Sequence, residues 1–121
     1  MKIFKIEDYV NLKNPTPGEL YRADILTVDR KAKDLIGFFG LLSPGNDVPY
    51  HIHRERESIF IPISGEVTMI FEGKEMSIKP GVVVYMPPGK KHGLVNKTDE
   101  EVRYLEFCTY PPFESDFEKV E

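Results

Sequence analysis

The sequence predicts an all-β fold closed into a sandwich or barrel. Short runs rich in Val, Ile, Phe and Tyr recur along the chain, as a pleated, half-buried surface favours. Gly, Pro, Asn and Asp punctuate these runs at short intervals. No stretch sustains the 3.6-residue apolar period of an amphipathic helix. Many short strands in 121 residues call for closure, because closure removes edges that would pair with other chains.

The predicted strands run in order from the N-terminus. They are Ile3 to Ile6, Leu20 to Val28, Leu35 to Leu42, Tyr50 to His53 and Ser58 to Ile63. Val67 to Phe71, Glu75 to Ile78, Val82 to Met86, His92 to Asn96 and Val102 to Tyr110 complete the set. Ser64-Gly65 and Glu72-Gly73-Lys74 read as tight turns between successive strands. Pro62 falls inside a run, which predicts an edge position or a bulge there. The tail is the one place where a helix competes. Ser115 to Glu118 has capping-box spacing, and Phe113, Phe117 and Val120 lie at i, i+4, i+7. A short C-terminal helix and a frayed acidic tail are both open readings.

Size and composition fit one globular domain with one hydrophobic core, at 40% apolar and 30% charged residues. No apolar run approaches the roughly 20 residues that span a bilayer. The start, Met1 to Asp8, lacks the apolar stretch and small-residue site of a secretion signal. The single Cys108 forms no internal disulfide, which fits a reducing compartment and a cytoplasmic location. A net charge of −4, without clustered Lys and Arg, argues against a nucleic-acid surface.

All three histidines fall in two short motifs. His51 and His53 are spaced i, i+2, so on a strand they share a face. His92 follows the tight-loop residues Pro87-Pro88-Gly89. Imidazole is the commonest metal ligand near neutral pH, and this concentration points to a metal site.

These residues carry a resemblance to the cupin superfamily. Gly81, Pro87, Gly89, His92 and Asn96 match every fixed position of its second motif, G-x5-P-x-G-x2-H-x3-N. Gly45, His51 and His53 match the first, G-x5-H-x-H-x3,4-E-x6-G, with Glu57 at the shorter permitted spacing. The closing glycine departs: counting back from Gly65 puts Ser58, not Glu57, in the carboxylate position. Glu57 is the favoured ligand, with a bulge near Pro62 absorbing the extra residue. The resemblance covers roughly residues 35–110 and leaves 1–34 as accessory N-terminal strands and 111–121 as a tail. It implies a double-stranded β-helix (jelly-roll) barrel, a homodimer, and one divalent metal per subunit held by His51, His53, Glu57 and His92.

Such a ligand set leaves open coordination positions, as a catalytic metal needs. Nitrogen and oxygen donors suit Fe, Mn, Ni, Co, Cu or Zn without choosing among them. Imidazoles at their ordinary pKa of about 6.5 would release metal below roughly pH 6. The resemblance implies an enzyme acting on an oxygen-rich small molecule, as a dioxygenase, decarboxylase, isomerase or lyase. The alternative is a non-catalytic module that binds a sugar or small metabolite. The general base stays open among Glu55, Glu66, Glu106, a tyrosine and a metal-activated water. Tyr50, Tyr85, Phe39, Phe60 and Phe107 read as core, Lys90 and Lys91 as a solvated loop, and Cys108 as a packed small hydrophobe.

Overall fold

The computed structural model describes residues 1–10, 20–26, 32–109 and 116–120. A short helix α1 (Glu7–Val10) precedes the strands β1 (Leu20–Leu26), β2 (Leu35–Leu42), β3 (Asp47–Ile52) and β4 (Ser58–Ser64). The strands β5 (Val67–Phe71), β6 (Lys74–Ile78), β7 (Val84–Met86), β8 (His92–Val95), β9 (Val102–Thr109) and β10 (Glu118–Lys119) follow. They form two five-stranded sheets, in the orders β1-β2-β9-β4-β7 and β10-β3-β8-β5-β6. Every pairing is antiparallel. From β2 onward the chain passes back and forth between the sheets, joined in sequence only by the β5–β6 hairpin. This is the jelly-roll double-stranded β-helix.

Alternate side chains of both sheets point inward and fill the space between them. Ile36, Phe38, Leu42, Phe60, Met69, Leu94, Val102 and Tyr104 form this inner core. The outer face of the first sheet is also apolar. Phe39 and Leu41 project there and are 0% and 1% exposed, packed against Ile25, Tyr9 and Leu105. With both faces covered, β2 is buried at every position after Leu35, so it reads as a continuous apolar run. By contrast β6 is exposed at all positions but Ile78.

Three elements depart from the sequence reading. Residues 3–6 form no strand; they lead into α1, whose Tyr9 packs on the outer cluster. Tyr85 is not core, being 55% exposed on the outer side of β7. The tail forms no helix at Glu118 and Lys119, which extend along β3 opposite Ile52 and His51. Its edge position explains the choice: an added strand satisfies backbone groups that β3 would otherwise leave open. Phe113 and Ser115, on which the helical pattern rested, lie outside the described residues. Pro62 sits beyond the end of the β4–β7 pairing and next to a register shift against β9. Both expected features of its position are therefore met. Phe39 and Phe60 are core, as is Cys108. Among the described residues no helix is long and apolar enough to cross a membrane.

Candidate metal centre

His51 and His92 lie directly opposite each other in the β3–β8 register. Opposed residues share a face, and here the ring centroids are 4.3 Å apart. His53 follows just past the end of β3 on the same face, with its ring 4.7 Å from that of His51. A register shift between Val48 and His51 bends β3 against β8. Gly93, beside His92, permits that close approach: a Cβ there would meet the Val48 carbonyl at 3.0 Å and Tyr50 Cα at 3.2 Å. Gly89 donates its N–H to the His53 carbonyl at 2.7 Å and so ties the two histidine motifs together. Asn96, which closes the second motif, plays no part in the site. It is fully buried and donates to the carbonyls of Leu42 and Glu100 while accepting from Thr98.

Each imidazole is oriented by a main-chain carbonyl. Nδ1 of His51 meets the Pro49 oxygen at 2.5 Å, that of His92 meets the Lys90 oxygen at 2.9 Å, and that of His53 meets the Asp116 oxygen. A carbonyl only accepts, so the proton sits on Nδ1 and the Nε2 lone pair is left for a ligand role. One ligand atom from each of the three rings lies within 4.8 Å of the others. Nε2 of His51 and of His53 are 3.1 Å apart. Two lone pairs at that distance repel unless a cation sits between them. Two nitrogens bound to one ion at about 2.1 Å, roughly at right angles, stand about 3 Å apart. The residues therefore fit a metal ion.

Burial strengthens this. Desolvation is the main cause that pulls the His51 pKa down to about 3, with neighbouring His92, His53 and Arg56 adding to it. Desolvation likewise lowers His53 and His92. The rings stay neutral, as ligands must be. Proton competition for a metal then sets in at lower pH than unperturbed imidazoles would give, which moves the expected release below pH 6.

Glu57 is not brought to this cluster. Its side chain is exposed and borders an outer groove with Leu35, Ile59, Tyr85 and Phe107. Strand parity is the reason. Ser58 and Phe60 point inward along β4, so Glu57 points outward, and the bulge near Pro62 comes too late to reverse it. Ser58 instead lines the cavity with the three histidines.

That cavity, about 130 Å³, lies between the sheets. Its walls are apolar, from Phe38, Phe60, Met69, Val84, Met86 and Leu94. Its polar lining besides the imidazoles comes from Arg22, Arg56, Ser58, Tyr104 and Glu106. Desolvation pushes the Glu106 carboxyl up to about 7, against the opposing pull of Arg56 and Arg22. Tyr104, buried beside it, is raised well above the ordinary phenol range. Its ring lies against Gly40 on the neighbouring strand, where a Cβ would meet it at 2.3 Å. The tail shapes the rim. Phe117 stacks on His51 at 4.4 Å, and the Asp116 carboxylate accepts main-chain N–H bonds from Arg54, Glu55 and Arg56.

Arg56, Arg22 and the tail were not singled out as site residues from sequence. Arg56 stood in the charged run Arg54 to Glu57, and only its 2% exposure separates it from its solvated neighbours. Glu55 and Glu66 are exposed, and Glu66 accepts from Ser77. Tyr50 accepts from Gly73, away from the imidazoles.

Known proteins of similar sequence and shape share this barrel. The glucose-6-phosphate isomerase of Pyrococcus abyssi is 27% identical over 118 residues, covering 87% of this chain. The chain spans only 60% of that relative's length. An uncharacterized conserved protein with a double-stranded beta-helix domain from Klebsiella pneumoniae superposes with a TM-score of 0.80. The match covers 100% of this chain and 98% of that one at 24% identity. A predicted oxalate decarboxylase from Thermotoga maritima superposes with a TM-score of 0.70 at 25% identity, covering 78% of this chain and 83% of that one. The sequence model of the Cupin domain matches residues 38–108, more than half of the chain and both histidine motifs. This chain belongs to the cupin family.

Proposed function

We propose that the protein is a metal-dependent enzyme acting on a small, oxygen-rich molecule, with one divalent transition metal per subunit. His51, His53 and His92 hold the metal; Glu57 does not. The observation that carries this reading is the convergence of one ligand nitrogen from each of three rings, each ring oriented by a carbonyl at Nδ1. A divalent metal held by these three imidazoles would supply Lewis-acid polarisation of a substrate carbonyl or enol oxygen.

The remaining lining favours proton transfer among the isomerase, lyase, decarboxylase and dioxygenase types. Glu106 is the one carboxyl among the described residues that lines the cavity, and its pKa of about 7 lets it hold or release a proton near neutral pH. The apolar walls exclude water from the reacting carbon. A relative named as a glucose-6-phosphate isomerase supports isomerisation, whereas the structural neighbour named as a predicted oxalate decarboxylase shares the same barrel. The test is Glu106→Gln in metal-loaded protein screened against sugar phosphates and small hydroxy and oxo acids. Turnover, and exchange of substrate C–H for solvent deuterium, should fall by about 10²–10⁴-fold with metal content unchanged. A variant that works at the wild-type rate excludes Glu106 as the acid–base group.

We propose also that the chain pairs with a second copy through the outer face of the first sheet. Leu35, Ile59 and Tyr85 are 50%, 43% and 55% exposed there, around a groove that reaches Phe107. Sedimentation velocity at micromolar concentration should read a dimer, and Ile59→Asp should shift it to monomer.

A further inference from the structure

The three imidazoles are not held alike. His51 and His92 face each other across the β3–β8 ladder. Each of their rings is oriented by a carbonyl two residues earlier in the chain, that of Pro49 and that of Lys90. His53 has neither support. It lies just past the end of β3, outside the ladder, and the carbonyl that accepts from its Nδ1 belongs to Asp116, 63 residues later. The torsion that turns a histidine ring is broad, so nothing in the side chain itself selects one orientation. An outside partner has to do so, and the Asp116 carbonyl holds the ring with its Nε2 at 3.1 Å from that of His51.

Asp116 is itself fixed where that carbonyl is needed. Its carboxylate accepts the N–H groups of Arg54, Glu55 and Arg56 at 2.7, 3.2 and 2.8 Å. These residues directly follow His53. Hydrogen bonds to an ionised carboxylate are roughly twice as strong as neutral ones. The chain beyond Asp116 then joins β3: Glu118 and Lys119 pair with Ile52 and His51, and Val120 donates its N–H to the Tyr50 carbonyl at 3.0 Å. Asp116 thus grips His53 twice, at the main chain after it through the carboxylate and at the ring through the carbonyl. Its neighbour Phe117 lies 4.4 Å from the His51 ring and 5.6 Å from the His53 ring, so the same segment covers two of the three imidazoles.

We infer that Asp116 is the positioning residue of this centre. Its carboxylate fixes the segment after His53, and its carbonyl fixes the His53 ring, so that Nε2 is directed to the place shared with His51 and His92. This rests on the metal reading above for the ion, but not for the orientation of the ring.

Two readouts on full-length, untagged Asp116→Ala test it, one without metal and one with. In metal-free wild type at neutral pH, nitrogen NMR of the histidine rings should show His53 as the Nδ1–H tautomer, with that proton slow to exchange with water. In Asp116→Ala the tautomers should mix and the proton should exchange at least about tenfold faster. Cobalt(II), added as the probe, should bind about 10–100-fold more weakly to Asp116→Ala and give an altered visible absorption spectrum. Asp116→Asn, which keeps one acceptor oxygen, should recover part of both effects. Glu118→Ala, which removes only the exposed pair with Arg54, should change neither. Wild-type proton exchange at His53 in Asp116→Ala overturns the inference, as does wild-type cobalt affinity and spectrum. Equal effects of Glu118→Ala and Asp116→Ala overturn it too, because they reduce the role to a general loosening of the tail. If Asp116→Ala fails to fold, Asp116→Asn is compared with the wild type under the same criteria. A wild type that takes up no cobalt refutes the metal centre, and the metal-free exchange at His53 then decides the positioning role by itself.

Discussion

The two sheets bring different chemistry to one cavity. The sheet containing β3 and β8 supplies His51 and His92, with His53 just past its strand end. The facing sheet supplies Glu106 and Tyr104 from β9, Ser58 from β4 and Arg22 from β1. One sheet lines the cavity with neutral nitrogen donors, and the other lines it with a carboxyl, a phenol, a hydroxyl and the Arg22 guanidinium. On the function proposed above, ion binding and proton transfer fall to separate layers, so substitutions in one layer should leave the other's property intact.

The largest effect falls on the histidine layer. His51→Ala or His92→Ala should lower metal affinity by at least about a hundredfold, with the circular dichroism of the barrel retained. Retention of full metal by both variants would break the division between the sheets. The Glu106→Gln variant is the converse, keeping metal and losing turnover.

Acid titration sharpens the comparison further, because the layers respond with opposite sign. The unfolded chain binds protons on histidine from about pH 6.5 downward, while burial lowers all three folded rings, His51 to about 3. The unfolded state therefore holds more protons, and metal-free stability falls as pH drops below about 6.5. Glu106 acts the other way. Its folded value of about 7, against 4.5 unperturbed, adds stability as pH falls through that window. With three imidazoles lowered and one carboxyl raised, the urea midpoint should fall between pH 6.5 and 4.5 in Glu106→Gln, where the opposing carboxyl is gone. The wild type should fall less over the same window than Glu106→Gln does. A midpoint that rises on acidification in Glu106→Gln would contradict the buried neutral histidines.

The histidine layer was legible in the sequence because all three histidines fall in two short motifs, and the i, i+2 spacing of His51 and His53 matches a strand face. The facing layer was legible only in part: Glu106 stood among several candidates for the general base, and Ser58 stood as the alternative to Glu57. In β9 the inward residues are Val102, Tyr104, Glu106 and Cys108, while Leu105 and Phe107 face outward against an apolar surface of their own. Alternation normally marks the apolar side as the inner one, and here both sides are apolar, so Glu106 looks like a solvated residue. The same ambiguity bears on Glu57 and Ser58, since residue type favours the glutamate, whereas strand parity turns the serine toward the cavity. The tail failed for a different reason. Its capping-box spacing is local, whereas its conformation is set by Asp116 receiving three N–H groups some sixty residues away and by Phe117 stacking on His51.

The smallest effect is expected at Glu57. Glu57→Ala should leave metal affinity unchanged, because its side chain faces the outer groove. Ser58→Ala should weaken it by less than tenfold. A large loss in Glu57→Ala would mean that β4 rotates its outward residue inward when metal binds.

The most direct measurement is elemental analysis by mass spectrometry on untagged protein, purified without added metal or chelator. The convergence of His51, His53 and His92 predicts close to one equivalent of a transition metal per chain. A metal-free chain that takes up none of Fe, Mn, Ni, Co, Cu or Zn on reconstitution would contradict it.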